Sequence, residues 1–207
     1  MIGLVDLGIG NLFSLKNLFS LIGKKKIIII DDPDYLSAHI NEITHLIIPG
    51  VGSYPAAMEA IEKSNWKKSI IDFKCMDKPL LGICLGMQLF FNESEENGIV
   101  TKGLGLLEGK VIKLKTKNGF KLPHVGWNDL IIQKDDSILK NLNLDIDFYF
   151  LHSYRCLPKD DEITICKTEY TEIFPSIVRK KNIIGFQFHP EKSSKIGQKL
   201  IENFLNL

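Results

Sequence analysis

Gly82-Ile83-Cys84-Leu85-Gly86 places one cysteine between two glycines, after the apolar run Pro79 to Ile83 and ahead of a helical pattern over Leu85 to Glu93. That is the outline of a nucleophile elbow with Cys in place of Ser. Glycines on either side remove Cβ atoms that would collide in so sharp a strand-to-helix turn, and the turn sets the sulfur at a helix N-terminus. The dipole and free N–H groups there favour thiolate over thiol. A buried cysteine between two packing glycines would read the same, so the pentapeptide alone leaves both readings open. A thiolate nucleophile needs a base. Of the five histidines, His189 in Gln187-Phe188-His189-Pro190-Glu191 is best placed, because Pro190 restricts its backbone to an extended form and residues two apart then share a side. Glu191 can therefore fix the imidazole tautomer and leave the other ring nitrogen facing the sulfur, a triad in the order Cys, His, Glu. A strand-end turn with a surface ion pair is the plainer alternative. Pro49-Gly50-Val51-Gly52-Ser53 is the third piece. Its glycines let backbone N–H groups turn toward a ligand, as an oxyanion hole requires, although by itself it is only a strand-to-helix turn.

Elements that could hold these pieces together follow from the apolar pattern. Ile2 to Val5, Ile27 to Ile30, His45 to Ile48 and Pro79 to Ile83 are continuous, β-branched runs, as expected of strands buried on both faces. Between them lie helical patterns: Leu12, Leu15, Leu18, Phe19 and Ile22 after an Asn11 cap with Gly23 as a stop, then Trp66, Ile70, Ile71 and Phe73 after Asn65. Alternating strand and helix predicts a parallel sheet wrapped by helices, with ligands at the carboxyl ends of its strands. The second half changes character. Strand-like stretches at Val111 to Lys115, Leu130 to Gln133, Phe148 to Leu151, Glu162 to Lys167, Ser176 to Arg179 and Asn182 to Phe188 predict mixed or antiparallel sheet, with Arg179-Lys180-Lys181-Asn182 as a hairpin turn. A last helix from Ser193 or Ser194 presents Ile196, Leu200, Ile201, Phe204 and Leu205 on one stripe. Lys24-Lys25-Lys26 reads as a solvated run.

Composition removes other classes. The chain has 207 residues, 44% hydrophobic and 25% charged, which fits one globular domain over 1–207 and not a disordered or low-complexity chain. A net charge of +1 supplies no field for a nucleic-acid backbone. No apolar run approaches the roughly 18 residues of a membrane span, and the start lacks a basic segment with a cleavage site, so a cytoplasmic location is expected. The four cysteines, Cys75, Cys84, Cys156 and Cys166, form no C-x-x-C pair, and His39, His45, His124 and His152 lack metal-ligand spacing. No metal site is expected, and those four histidines read as satisfied structural residues. Gly8-Ile9-Gly10 followed by Asp31 imitates a dinucleotide fingerprint, but Phe13 stands where the third glycine belongs.

Taken together, GICLGMQ at 82–88, PGVG at 49–52 and FHPE at 188–191 resemble the class I, or triad, glutamine amidotransferases. More narrowly, the chain is similar to the glutaminase subunits of imidazole glycerol phosphate synthases, through Gly10-Asn11-Leu12, His124-Val125-Gly126-Trp127-Asn128, Phe150-Leu151-His152-Ser153-Tyr154 and Phe188 to Ser193. These motifs run from the first strand to the last helix. The resemblance implies an α/β fold, flavodoxin-like, with an open mixed, mainly parallel sheet flanked by helices. It also implies that Cys84 attacks the carboxamide of glutamine, His189 manages the protons and Glu191 orients it. The backbones of Val51, Gly52 and Leu85 then hold the oxyanion, once a peptide reorients. Gly50, Gly52, Gln88, Glu96, Ser153 and Tyr154 match its substrate contacts, with Glu95 as the alternative to Glu96. A carboxylate suits the α-ammonium of glutamine. Asn11, Trp127, Tyr149 and Lys192 match positions near the partner interface or the ammonia path. The implied partner is a (β/α)8 barrel cyclase making imidazole glycerol phosphate and an aminoimidazole carboxamide ribotide in histidine biosynthesis. No cofactor of the chain's own is implied, and activity alone should be low until the partner docks.

The departures lie in the first motif, where the family's Asp-Tyr-Gly-Met-Gly-Asn-Leu-Arg-Ser is Asp6-Leu7-Gly8-Ile9-Gly10-Asn11-Leu12-Phe13-Ser14. A tyrosine and an arginine are replaced by apolar residues, which bears on the partner surface and not on the glutaminase parts. A paralogue feeding ammonia to a different synthase, such as one in surface-sugar biosynthesis, is the alternative. Flavodoxin-like cysteine hydrolases share the elbow but do not need the PGVG and HPEKS segments. A non-catalytic binding module has no reason to keep Cys84, His189 and Glu191 together.

Overall fold

A computed structural model describes residues 1–23, 26–117, 119–142 and 146–207. The first half alternates strand and helix: β1 (Ile2–Val5), α1 (Leu12–Leu21), β2 (Ile27–Ile30), α2 (Pro33–Ala38), β3 (His45–Gly50), α3 (Tyr54–Lys63), α4 (Trp66–Cys75), β4 (Leu80–Cys84) and α5 (Leu85–Leu89). The second half is mostly strand: β5 (Phe91–Ser94), β6 (Thr101–Lys102), β7 (Leu107–Lys113), β8 (His124–Asn128), β9 (Ile131–Ile132), β10 (Phe148–His152), β11 (Tyr154–Pro158), β12 (Thr164–Glu169), β13 (Ile173–Lys180) and β14 (Ile183–Phe186), closed by α6 (Ser194–Leu205). Eight strands form the central sheet in the order β2-β1-β3-β4-β14-β13-β12-β9. It is parallel from β2 to β14 and antiparallel beyond.

The uninterrupted apolar runs are explained by two cores. Along β3 and β4, Leu46, Ile48 and Leu80 join the cluster under α2, α3 and α4, while Ile47, Leu81 and Ile83 join the cluster under α1 and α6. Successive side chains point to opposite faces, so a strand covered on both sides must be apolar at every position. Asn11 caps α1, accepting from the Ser14 N–H at 3.2 Å, and Gly23 follows its end at φ +71°. On α6, Ile196, Leu200, Ile201 and Phe204 are buried as one stripe. Asn65 precedes α4 in a left-handed conformation and makes no capping bond. The hairpin after β13 turns through Lys181 and Asn182. The Lys24-Lys25-Lys26 run falls largely outside the described residues.

The helix expected over Leu85 to Glu93 stops at Leu89. Beyond it the backbone is claimed by the 103–107 segment: Leu89 O accepts from Leu104 N at 2.9 Å, Phe90 O from Leu106 and Leu107 N, and Asn92 O from Gly103 N. Phe91 onward thus becomes β5 of a four-stranded sheet, β11-β7-β5-β6, and β8 pairs with β10 in a separate two-stranded ribbon. The sequence pattern anticipated neither small sheet, nor α2, whereas α3 follows Ser53 as the strand-to-helix turn at 49–53 implied. Both of these helices carry a proline in their first turn.

Candidate active site

Strand register brings the three loops level. Gly50 pairs with Cys84 across β3 and β4, and Phe186 pairs with Ile83 across β4 and β14, so PGVG, the cysteine and the QFHPE segment leave one sheet edge side by side. Cys84 itself sits at φ +54°, ψ −110°, a strained conformation for a residue with a side chain. Both elbow glycines are sterically required. A Cβ on Gly86 would lie 1.8 Å from the Ile48 carbonyl oxygen, and one on Gly82 would lie 2.6 Å from the Gly86 backbone. Gly50 makes room in the same way, with Leu85 Cβ at 3.0 Å and Gly86 N at 3.1 Å from its ideal Cβ position.

His189 and Glu191 lie behind the cysteine, their side chains each 3% exposed, with Nδ1 and Oε1 2.9 Å apart. Glu191 does not reach the ring along an extended chain. Pro190 opens a single 3-10 turn, closed by Lys192 N to His189 O and Ser193 N to Pro190 O, and α6 rests on it through Gly197. Ser193 Oγ donates to His189 O at 2.6 Å and accepts from Tyr149 N at 3.1 Å, while His189 N donates to Tyr149 O at 2.8 Å. Burial by itself would push the His189 imidazole down, but the charges and hydrogen bonding of Cys84 and Glu191 outweigh it and raise the ring to about 10. Its Nε2 is buried without a formed hydrogen bond: it feels Cys84 at a geometry short of one, while the sulfur rests 3.6 Å from Leu151 O. Since α5 spans only five residues, the imidazolium and not a long helix dipole is the main cationic partner of a charge on sulfur. The other cysteines differ. Cys156 is buried and pushed well up by that burial, and Cys166 is pushed up to about 12, so both stay thiols.

In front of Cys84 lies a cavity of about 110 Å3 lined by Val51, Gly52, Cys84, Leu85, Gln88, Glu96, Leu151, His152, Ser153 and Tyr154. Gly52, at φ +109°, keeps its peptide free of any neighbour that a Cβ would meet. A cysteine at a strained turn, a buried histidine paired with a carboxylate and a backbone-lined cavity are the groups that a cysteine acyl-transfer site requires. The family model for class I glutamine amidotransferases matches residues 4–207. The chain belongs to the class I glutamine amidotransferases. Among curated amidotransferases of this kind, the imidazole glycerol phosphate synthase subunit HisH of Methanocaldococcus jannaschii is 44% identical over 209 residues, covering all of both chains. That of Geobacillus sp. (strain WCH70) is 40% identical, covering all of this chain and 97% of the relative. The amidotransferase fold extends further: PurLQS from Thermotoga maritima superposes with a TM-score of 0.73 at 20% identity, over 99% of this chain and 97% of the other.

Within this amidotransferase site, Glu96 and Glu95 part company. Glu96 lines the cavity and accepts from Tyr54 N, the start of α3, at 2.9 Å, whereas Glu95 is turned outward in an ion pair with Lys110 at 2.6 Å. Gln88 is fixed by donating to Tyr154 O at 2.9 Å and to Gln187 Oε1 at 3.1 Å. Its two N–H groups are thereby used, and its carbonyl oxygen is what it offers a ligand. Ser153 and Tyr154 form one wall, anchored by the adjacent ion pair of Arg155 with Glu172 at 2.8 Å. Gly50 does not line the cavity.

Trp127, Tyr149 and Lys192 form one strip. Tyr149 pairs with Trp127 across the ribbon, their rings lie edge to face at 5.8 Å, and Lys192 Nζ is 5.1 Å from the Tyr149 ring centre. Trp127 and Val125 are about half exposed, at 51% and 53%. Asn11 stands apart as the α1 cap. Two groups escaped the sequence reading. Gln187 is buried beside Cys84, and its place two residues before His189 on one extended segment, which sets both on the same side, would have pointed to it. His124 and His152 are hydrogen-bonded to each other at 3.2 Å, and His152 reaches the cavity wall. Nothing in their spacing signals this.

Proposed function

We propose that this chain is the glutaminase subunit of an imidazole glycerol phosphate synthase, hydrolysing glutamine and passing ammonia to a (β/α)8 barrel cyclase in the cytoplasm. The observation that carries the reading is Cys84 at a cavity that also holds Glu96, backed by a buried His189–Glu191 pair. Cys84 sulfur, as thiolate, bonds to the glutamine carboxamide carbon, and the resulting oxyanion is held by N–H groups of Gly52 and Leu85 after the Val51–Gly52 peptide reorients. His189 gives its proton to the departing nitrogen, the carbon–nitrogen bond breaks, and ammonia leaves a glutamyl thioester. A water molecule then adds to the thioester, its proton passing to His189, and collapse releases glutamate and the thiolate. Glu191 holds His189 in the required orientation throughout. Glu96 and the Gln88 carbonyl oxygen are two acceptors for the α-ammonium, and Ser153 and Tyr154 border the amino-acid end.

Ammonia is useful only while unprotonated and enclosed, which favours a docked acceptor. The Trp127, Tyr149 and Lys192 strip is the face assigned to the barrel, and Asn11, apart from the strip, is assigned to it as a separate position. Glutamate release from glutamine should be low for the purified chain and rise at least tenfold when the host's cyclase barrel and its nucleotide ligand are added. Cys84→Ala should abolish it. The exposed Phe13, 74% accessible where the family has arginine, supports a second reading in which another synthase is the acceptor. Activity indifferent to the cyclase barrel would select that reading, and glutamate release by Cys84→Ala would remove both.

A further inference from the structure

We propose that Gln187 and the buried His124–His152 pair are positioning residues of the glutaminase step, joined by a hydrogen-bond line whose two branches meet as donors on the Tyr154 carbonyl oxygen, one running back to the histidines and the other, through Gln88 and Gln187, to the Cys84 sulfur. The inference rests on the glutaminase reading above. Starting at the sulfur, Gln187 Nε2 lies 3.8 Å from Cys84 Sγ, Gln88 Nε2 lies 3.1 Å from Gln187 Oε1 and 2.9 Å from Tyr154 O, and His152 Nδ1 lies 2.8 Å from that same oxygen. His152 Nε2 then meets His124 Nδ1 at 3.2 Å, and His124 Nε2 meets Asn128 Nδ2 at 3.5 Å on β8.

Every proton in this line is dictated by chemistry. A carbonyl oxygen only accepts, so both Gln88 and His152 must present N–H groups to Tyr154 O. Gln88 therefore meets Gln187 with its second N–H, Gln187 must answer with its oxygen, and its own N–H groups are left to the sulfur. A neutral His152 with its proton on Nδ1 has a bare Nε2, so His124 must donate from Nδ1 and accept on Nε2, where the Asn128 amide supplies the donor. Protonating either histidine would set two N–H groups against each other. Burial keeps them neutral: it pushes His124 down to about 4 and His152 to about 3. Gln187 is fully buried, so its amide has no water to turn to. The result is a donor aimed at sulfur and a Gln88 carbonyl oxygen held facing the cavity.

Two pairs of substitutions test this, in a Cys75→Ser background so that the exposed Cys75 does not react with the alkylating agent. Gln187→Met keeps the shape and removes both bonds, whereas Gln187→Glu keeps the acceptor for Gln88 and, when ionised, replaces the donor to sulfur by a negative charge. Each should lower kcat about tenfold and move the pH midpoint of Cys84 alkylation by iodoacetamide upward by about one unit, as loss of a bond to a charged group predicts. Asn overlays the Nδ1 of histidine and Gln its Nε2. His152→Asn should therefore leave KM for glutamine within about twofold, and His152→Gln should raise it about tenfold. A merely structural role would damage both alike. Unchanged alkylation midpoints and kcat in the Gln187 variants, or equal damage in the two His152 variants, would overturn the line. If Gln187→Met does not fold cooperatively, the isosteric Gln187→Glu and the His152 pair decide. Cys84→Ala, run alongside, tests the glutaminase reading separately: glutamate release by it would sink that reading whatever the other variants do.

Discussion

The molecule buries two histidine sites against the same cavity region and treats them in opposite ways. His189 is enclosed with a carboxylate 2.9 Å from Nδ1 and a sulfur near its other side, and its ring is raised to about 10. His152 is enclosed with a carbonyl, another histidine and aromatic rings, and is lowered to about 3. Burial disfavours the charged ring in both cases; what differs is whether negative charge is buried with it. A histidine's depth in a fold therefore says little about its protonation until its partners are known. The first site can hold and move a proton, and the second can only hold a fixed pattern of donors and acceptors.

Removing the buried charge is the strongest way to break the contrast. Against the effect of burial, Cys84 contributes most to the raised His189 ring and Glu191 the rest, so Glu191→Gln, which leaves an amide against Nδ1, should lower the ring part of the way and drop glutamate release about a hundredfold in kcat. NMR titration of the His189 ring would follow the fall, and an unchanged ring would refute the assigned role of Glu191. A smaller effect concerns the carboxylates in front of the sulfur. Glu96→Gln should raise KM for glutamine about tenfold while Glu95→Gln leaves it within about twofold, because only Glu96 lines the cavity. Steady-state kinetics on the two variants suffices, and equal effects would count against Glu96.

The mildest effect is on stability, and the two sites contribute with opposite sign. For His124 and His152 the folded-state value lies below the ordinary 6.5, so the unfolded chain binds more protons between about 3 and 6.5. Stability is then full above pH 6.5 and falls as acid is added, by up to about 1.4 kcal/mol per pH unit for each ring. For His189 the folded-state value is raised, so its contribution is full below 6.5 and is lost as pH climbs toward 10. Urea unfolding across this range should show a shallower acid limb in His152→Asn and a shallower alkaline limb in Glu191→Gln. Unaltered limbs would mean that neither site is linked to folding as its surroundings imply.

Much of the site was legible in the chain. A cysteine between glycines after a buried run, a histidine held extended before proline, and a glycine pair ending another buried run each announce a local geometry that holds wherever the segment sits. The same is true of the parallel half of the sheet and of α1, whose cap and stop are written in Asn11 and Gly23. Where prediction failed, the outcome depended on distant chain. The helix from Leu85 ends at Leu89 because residues 103–107 take its next carbonyls, and Glu191 reaches His189 through a turn pinned by α6.

The sequence by itself determined which chemistry is possible here, because the reactivity of a thiol, an imidazole and a carboxylate and the turn a glycine permits are local properties. Only the tertiary structure decided which neighbours those groups have. The register of β3, β4 and β14 sets Gly50, Cys84 and Gln187 side by side, the outward turn of Glu95 leaves Glu96 at the cavity, and the pairing of β8 with β10 joins His124 to His152. Charge and hydrogen bonding act through space over a few ångströms. The partners that set a group's protonation and aim are therefore fixed by strand pairing and packing, not by distance along the chain.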